Sequence, residues 1–212
     1  MKNVYALVIV PASILVPIIM ARSVYPDLRK RHRIILFYLL VSGCINLAAI
    51  VLASKGMHNL FLLHFYTIIE FAILSMFFRD IIKGKFITRF ITCSIFAFTA
   101  LCIINFVFLQ SLDKFNTYTR PIEAIFLIAY SLSYFERESR IDHELSWVNN
   151  PVSWMVTGIL LYFSGALFQF TFSNVVSIEV SHDIKVLIWN IHATLVLIMY
   201  ILFAIGFRKC KN

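Results

Sequence analysis

Long apolar stretches alternate with short polar connectors along the chain. A helix needs about 20 mostly apolar residues to cross the hydrocarbon core of a bilayer, and it satisfies its backbone polar groups within one segment. Seven stretches meet this requirement, although the fifth is short and begins with the polar sequence TRPIEAIF. We therefore predict an all-α fold, a seven-transmembrane-helix bundle that forms one domain over residues 1–212. The predicted helices cover about residues 4–20, 34–53, 60–78, 90–109, 119–135, 152–172 and 184–207.

The lysine and arginine residues favour one side of this predicted bundle. Of the 19 such residues, 14 lie in the segments 21–33, 79–89, 136–151 and 208–212, which alternate with the other connectors along the chain. Loops rich in Lys and Arg stay on the cytoplasmic side of a membrane. The distribution predicts an N-terminus outside and a cytoplasmic C-terminus, as an odd number of spans requires.

The overall composition agrees with a protein that lies in a lipid bilayer. Hydrophobic residues make up 60% of the chain and charged residues 14%, whereas soluble domains are about 25% charged. A net charge of +8 also occurs in nucleic-acid-binding proteins, but here the basic residues lie in short connectors. We expect the lipid bilayer as the surroundings of the chain and no nucleic acid as a partner.

The connector ERESRIDHELSWVNN, residues 136–150, is the longest on the predicted cytoplasmic side. Within it Ile141, Leu145 and Val148 recur at helical spacing. This pattern is consistent with an extension of the fifth helix or with a helix on the membrane surface. Two interpretations stay open, a docking site for a cytoplasmic partner and a solvated connector without a partner.

Two glutamates lie inside predicted helices. Glu70 is near the middle of the third helix, in the sequence HFYTIIEFAIL, and Glu123 lies about one turn from the outer end of the fifth. A charged side chain at the bilayer centre costs about 2.5–3.5 kcal/mol on insertion scales. Such residues almost always face the interior of a bundle or a wet cavity. We therefore predict that Glu70 and Glu123 face an interior site.

The other polar residues of the helices lie at mid-depth or in the outer half, whereas the cytoplasmic halves consist almost entirely of Leu, Ile, Phe and Ala. This one-sided distribution predicts an outward-facing polar pocket. The alternative is that these side chains form ordinary hydrogen bonds between helices, which contribute about 0.6 kcal/mol each. The predicted pocket residues are Glu70, Glu123, His64, Thr67, Asn190, His192, Gln169, Ser164, Asn46 and Asn105.

Three functions are compatible with this pattern. A polar outer pocket over an apolar inner half favours a membrane receptor or sensor subunit that signals through a partner. The alternative is an intramembrane metal-dependent hydrolase with His64, Glu70, Glu123 and His192 as metal ligands, although the sequence has no HExxH motif. The third is a proton-coupled small-solute transporter. We expect no cofactor, and the pattern favours a non-enzymatic role without deciding it.

Three stretches of the chain resemble a group of uncharacterised small bacterial integral membrane proteins with seven predicted helices. They are RPIEAIFLIAYSLSYF (120–135), SWMVTGILLYFSGALF (153–168) and IWNIHATLVLIMYILFAIGF (188–207). The resemblance spans roughly the third to the seventh helix, and genes for that group often lie beside two-component signalling genes. It implies a multi-pass protein of the bacterial inner (cytoplasmic) membrane and a cytoplasmic or membrane signalling partner such as a histidine kinase. It also implies a role for Glu70, Glu123 and His192.

Overall fold

The computed structural model describes residues 4–140 and 147–211. Throughout these residues the fold is all-α, with seven long helices and a few short helical turns. The prediction of an all-α protein with seven helices is confirmed. The helices are α1 (Tyr5–Ser23), α2 (Lys30–Ser54), α3 (Phe61–Ile81), α4 (Lys85–Leu109), α5 (Thr119–Ser139), α6 (Pro151–Glu179) and α7 (His182–Arg208).

Among the helices of the described residues, six are long and apolar enough to cross a membrane. These are α1, α2, α3, α4, α6 and α7, which makes the chain a multi-pass membrane protein by length and composition. α5 differs in composition, because Arg120 and Glu123 lie near its start and three consecutive charged residues lie near its end.

Several helices continue beyond the apolar stretches predicted from the sequence. α6 ends at Glu179, seven residues after the predicted end at 172, and α5 ends at Ser139 rather than near 135. Beside the end of α5, Arg140 and Glu136 form an ion pair of 2.6 Å one helical turn apart, a spacing that supports helix.

The connector after α5 is described in part. Val148 belongs to the short turn Trp147–Asn149, which precedes α6. Ile141 and Leu145, the other two residues of the apolar pattern predicted in this connector, lie outside the described residues. The proposal of a surface helix or docking site there stays a prediction.

Six helices form a ring in the order α1, α2, α3, α5, α6 and α7, and α7 packs in turn on α1. α4 lies outside this ring, against α3 and α5. Because successive helices are joined by short connectors, alternate connectors lie at the same end of the bundle. We call one end the basic end, with the connectors 24–29 and 82–84 and the described residues 140 and 147–150. The other is the opposite end, with the connectors 55–60, 110–118 and 180–181.

Large apolar side chains fill the interior at the basic end. Phe77 near the end of α3 and Phe203 and Phe207 near the end of α7 are fully buried. Tyr38 on α2 meets Phe203 edge-on across the ring, with ring centroids 6.2 Å apart. Because buried aromatic side chains remove large areas from solvent, they contribute most of the apolar core of this half of the bundle.

A glycine allows close contact between α6 and α7 at the basic end. A Cβ atom added at Gly206 would lie 3.0 Å from the carbonyl oxygen of Pro151 and 3.0 Å from Met155 Cγ. At Gly43 on α2, an added Cβ would meet Ile14 Cδ1 at an ordinary 3.8 Å. The two glycines therefore form a matched pair for a test of this packing.

We expect Gly206→Ala to be less stable than Gly43→Ala by about 1–3 kcal/mol, the usual cost of overpacking. The reason is that the backbone oxygen of Pro151 cannot move aside as a flexible side chain can. Thermal unfolding of both variants in the same detergent measures the difference. Equal melting temperatures would contradict the close α6–α7 contact.

Candidate functional site

Arg120 lies in the interior of the bundle among polar groups from three helices. It is the second residue of α5 and is only 6% exposed. Its Nη1 lies 3.2 Å from Glu70 Oε2 on α3 and donates to Thr67 Oγ1 at 3.5 Å. Its Nη2 donates to the Tyr162 hydroxyl on α6 at 3.3 Å. The guanidinium also lies over the ring of Phe170, 4.4 Å from the centroid, a favourable cation–π position.

Glu70 accepts two tyrosine hydroxyls in addition to its pairing with Arg120. Tyr38 on α2 donates to Oε1 at 2.8 Å, and Tyr66, one turn earlier on α3, donates to the same oxygen at 3.0 Å. Ser42 on α2 in turn shares a hydrogen bond of 2.8 Å with the Tyr66 hydroxyl. A buried carboxylate is stable when it is paired and hydrogen-bonded. These contacts compensate the burial of a glutamate at mid-helix.

Glu123 is the less well paired of the two carboxylates. It lies one turn after Arg120 on α5, is fully buried, and has its Oε2 3.9 Å from Arg120 Nη1. Neither of its oxygens has a hydrogen-bond partner among the described residues. The Arg120 guanidinium therefore pairs closely with Glu70, at 3.2 Å, and less closely with Glu123, at 3.9 Å. We use the name Arg120 cluster for Arg120, Glu70, Glu123, Tyr38, Tyr66 and Tyr162.

A cavity of about 720 Å³ extends from the Arg120 cluster towards the opposite end of the bundle. Glu70, Arg120 and Tyr162 lie on its deep side, and Asn59 and His182 lie where it approaches the connectors of the opposite end. Small-molecule sites usually enclose about 300–1,000 Å³ and combine an apolar wall with a few polar groups. This cavity has the size and the wall chemistry of a ligand site.

The connector between α4 and α5 covers part of the cavity. Asn174 on α6 holds it by accepting from the Phe115 backbone N–H at 3.0 Å and donating to the Phe115 carbonyl at 3.1 Å. His64 on α3 adds a hydrogen bond of 3.0 Å to the Lys114 carbonyl. The Phe115 ring lines the cavity and packs against Trp189 on α7, with centroids 5.5 Å apart. The connector is therefore anchored at several points and supplies an aromatic group to the wall.

Five of the ten predicted pocket residues lie at the cavity or in contact with Arg120. Glu70, Asn46 on α2 and His192 on α7 line the cavity, and the His192 ring lies 5.6 Å from the Tyr162 ring, centroid to centroid. Glu123 and Thr67 contact Arg120 without lining the cavity. A role of these side chains in ligand binding stays a prediction.

The other five predicted pocket residues do not line this cavity. The His64 side chain serves the connector between α4 and α5. Asn105 and Gln169 are buried in α4 and α6, and Ser164 lies on the exposed surface of α6. Asn190 follows the wall residue Trp189 on α7 but is not itself part of the wall. The depth pattern in the sequence does not determine which face of its helix each of these residues occupies.

Sequence reasoning missed Arg120 and the three tyrosines of the cluster. Arg120 is one of the five basic residues outside the segments 21–33, 79–89, 136–151 and 208–212 and opens the fifth predicted helix. Its spacing of three residues from Glu123 was an available signal, because such a spacing places two side chains on neighbouring positions of a helix surface. Tyr38, Tyr66 and Tyr162 gave no comparable signal, since tyrosine is common in membrane helices near either interface.

The four candidate metal ligands do not form one group. Among the described residues, no set of three or more His, Cys, Asp or Glu side chains is placed to hold a metal ion. His64 is directed to the Lys114 carbonyl, and the guanidinium of Arg120 lies between the two glutamates. A positive charge thus occupies the space that Glu70 and Glu123 share, so the geometry lends no support to the metal-hydrolase alternative.

Comparisons with protein-family models, with curated proteins and with solved structures find no match to this chain.

Proposed function

We propose that the chain is a receptor or sensor subunit of the bacterial inner membrane that binds a small extracytoplasmic ligand and signals through a partner. The observation that carries this proposal is the position of the cavity. It reaches the Arg120 cluster from the opposite end, and fully buried apolar side chains such as Phe77 and Phe203 fill the bundle beyond the cluster. A pocket with a polar floor and an apolar core behind it suits ligand binding better than solute passage, which needs a path to both sides.

The proposal includes α5 as a seventh membrane span. With 21 residues α5 is about 31 Å long at 1.5 Å per residue, close to the hydrocarbon thickness of about 30 Å. The charged residues near its start, Arg120 and Glu123, are buried members of the Arg120 cluster. On its outer surface Ile125 and Leu132 are 57% and 54% exposed, as suits side chains that face lipid.

In the proposed orientation the cavity opens towards the outer side of the membrane. With seven spans, the N-terminus and the C-terminus lie on opposite sides of the membrane. The basic connectors favour the cytoplasm, so the N-terminus and the opposite end face outwards. The proposed partner then meets the basic end, where α5 ends at Ser139 and the turn Trp147–Asn149 precedes α6. The resemblance to proteins encoded beside two-component genes favours a histidine kinase.

The Arg120 cluster offers a means of transmitting a signal. Tyr38, Glu70, Arg120 and Tyr162 belong to α2, α3, α5 and α6 and are joined by hydrogen bonds and an ion pair. A ligand that binds any of these groups therefore acts on four helices. Packed helices respond to such contacts by shifts of about 1–2 Å that a partner can detect, provided that the ligand favours one arrangement over the other.

Gene expression tests this proposal in cells that carry the chain at its native locus. Ala193→Phe fills the cavity, because Ala193 lines it and is 7% exposed. Ile191→Phe is the matched control, because Ile191 lies two residues earlier on the outer surface and is 53% exposed. We expect deletion of the chain and Ala193→Phe to change the same set of transcripts, and Ile191→Phe to change none of them at equal protein level.

An unchanged transcript profile after deletion would contradict the receptor proposal. Accumulation of a solute that depends on Glu70, without a change in transcripts, would favour the transporter instead.

A further inference from the structure

The wall of the cavity indicates what kind of ligand it accepts. We propose that the cavity binds an uncharged lipophile with one hydrogen-bonding polar group, such as a long-chain alcohol or ketone. Its polar group lies against the Arg120 cluster, and its apolar chain lies between α1 and α2. This inference rests on the proposed function, because it names the ligand class of the same site.

Polar and apolar groups occupy different parts of the wall. The hydroxyl groups of Tyr38, Tyr66 and Tyr162 gather on the deep side beside Glu70 and Arg120. The wall towards α1 and α2 is apolar. It is formed there by Ala6, Leu7, Val10, Pro11, Ile45 and Ala49. A molecule that matches this wall has a polar group at one end and an apolar body at the other.

α1 and α2 separate beside the apolar part of the cavity. The second half of α1, Leu15–Ser23, packs on both α2 and α7, whereas the first half packs mainly on α7. The Tyr5 hydroxyl holds that first half to α7 through a hydrogen bond of 2.9 Å to Thr194 Oγ1. Asn46 on α2 is exposed and also lines the cavity. In a bilayer such a gap between two spans opens to lipid, so an apolar chain can enter from the membrane.

The charges on the deep side of the cavity already have partners. Arg120 lies 3.2 Å from Glu70 and 3.9 Å from Glu123. Lys185, the other charged side chain among the described residues of the wall, lies in the first turn of α7 at the opposite end, where it donates to the Ser177 carbonyl at 2.5 Å, and is not part of the deep side. A charged ligand group placed on the deep side would have to break the Arg120–Glu70 pair or stay unpaired in a buried place, and both are costly.

The cavity still offers hydrogen bonds to an uncharged group. The Asn46 amide and the Tyr200 hydroxyl line it. His192 lines it as well, and its Nδ1 is buried without a hydrogen-bond partner among the described residues. A hydroxyl or carbonyl oxygen can bind to such groups without bringing a charge to the ion pair of Arg120 and Glu70.

Photoaffinity labelling of the purified full chain in lipid nanodiscs tests the ligand class. The probe is a hexadecanol that carries a diazirine in its chain, and mass spectrometry locates the labelled residues. We expect saturable labelling of residues 6–11 and 45–49. Unlabelled hexadecanol is expected to compete at least fivefold more effectively than palmitate or hexadecylamine, which present a negative or a positive head group on a chain of the same length.

Two neighbouring alanines provide a matched pair of variants. Ala49 is half-buried and lines the cavity, whereas Ala48 is exposed on the outside of α2. Ala49→Phe is expected to reduce labelling several-fold, and Ala48→Phe is expected to leave it unchanged. If Ala49→Phe does not fold, the competition series on the wild type decides the question alone.

The inference is overturned if palmitate or hexadecylamine competes as well as hexadecanol, or if the label is unsaturable and spread over the outer surface. The labelling measures binding alone, so it separates the two proposals. If the labelling fails while Ala193→Phe still changes the transcripts, this ligand class is refuted and the receptor function stands. Selective labelling without any effect on transcripts would refute the receptor function and leave the ligand class standing.

Discussion

Replacement of Arg120 by leucine is expected to lower the free energy of unfolding by about 3–5 kcal/mol, the usual cost of leaving a buried charge without its partner. The variant keeps two carboxylates in the interior, with Glu70 1% exposed and Glu123 fully buried. The nearest cation to both carboxylates is removed, since Arg120 forms the ion pairs to each. Chemical or thermal unfolding of the purified protein in one detergent measures the loss.

Arg140→Leu is the matched control for this experiment. Arg140 also pairs with a glutamate of α5, at 2.6 Å, but the side chains of that pair are 76% and 63% exposed. Exposed ion pairs contribute little to stability because water and salt screen them. Similar losses of stability in Arg120→Leu and Arg140→Leu would show that Arg120 is not the buried centre of the bundle.

The two glutamates of the cluster are expected to respond very differently to the same substitution. Glu70→Leu removes the 3.2 Å ion pair and deprives the Tyr38 and Tyr66 hydroxyls of their shared acceptor. We expect a loss of about 3–5 kcal/mol. Glu123→Leu removes a carboxylate that has no hydrogen-bond partner among the described residues, and Arg120 keeps its stronger pair. Here we expect a loss of about 1 kcal/mol or less, because the desolvation cost of one buried carboxylate disappears with it.

Unfolding of both single variants and of the double variant measures this asymmetry. Glu70→Gln is a useful third variant, because its side-chain oxygen still accepts from the two tyrosines while its charge is gone. We expect its stability to fall between those of the wild type and Glu70→Leu. Equal losses for Glu70→Leu and Glu123→Leu would contradict the unequal pairing of Arg120.

The helices of this fold could be predicted from the sequence because their signal is local. An apolar stretch of about 20 residues has few alternatives to a helix when the surroundings are lipid. The ends were less predictable. α6 continues to Glu179 past the apolar stretch. In this extension Asn174 binds the connector between α4 and α5, a contact between residues 59 positions apart that the local pattern does not reveal.

The sequence singled out Glu70 as a buried polar residue, but it did not determine which side chains of other helices surround it. Glu70 stood out because an interior carboxylate needs compensation, and the structure supplies Arg120 from another helix. That pairing joins α3 to α5 and depends on how each helix is rotated about its axis, which a single sequence does not determine. The same limit explains why Ser164, at a similar depth, lies on the exposed surface of α6. The tyrosines became recognisable as cluster members once the position of Glu70 relative to α2 and α6 was known.

The central claim is that the cavity faces outside in a bundle that α5 crosses, and thiol accessibility tests it most directly. Ser111 precedes α5 in the connector of the opposite end, Ser139 ends α5 at the basic end, and both are exposed. Ser111→Cys and Ser139→Cys, each in a background whose four native cysteines are replaced by serine, are treated in spheroplasts with a membrane-impermeant maleimide. We predict that Ser111→Cys reacts in intact spheroplasts and Ser139→Cys reacts after lysis alone. Reaction of both in intact spheroplasts, or the reverse order, would contradict the account.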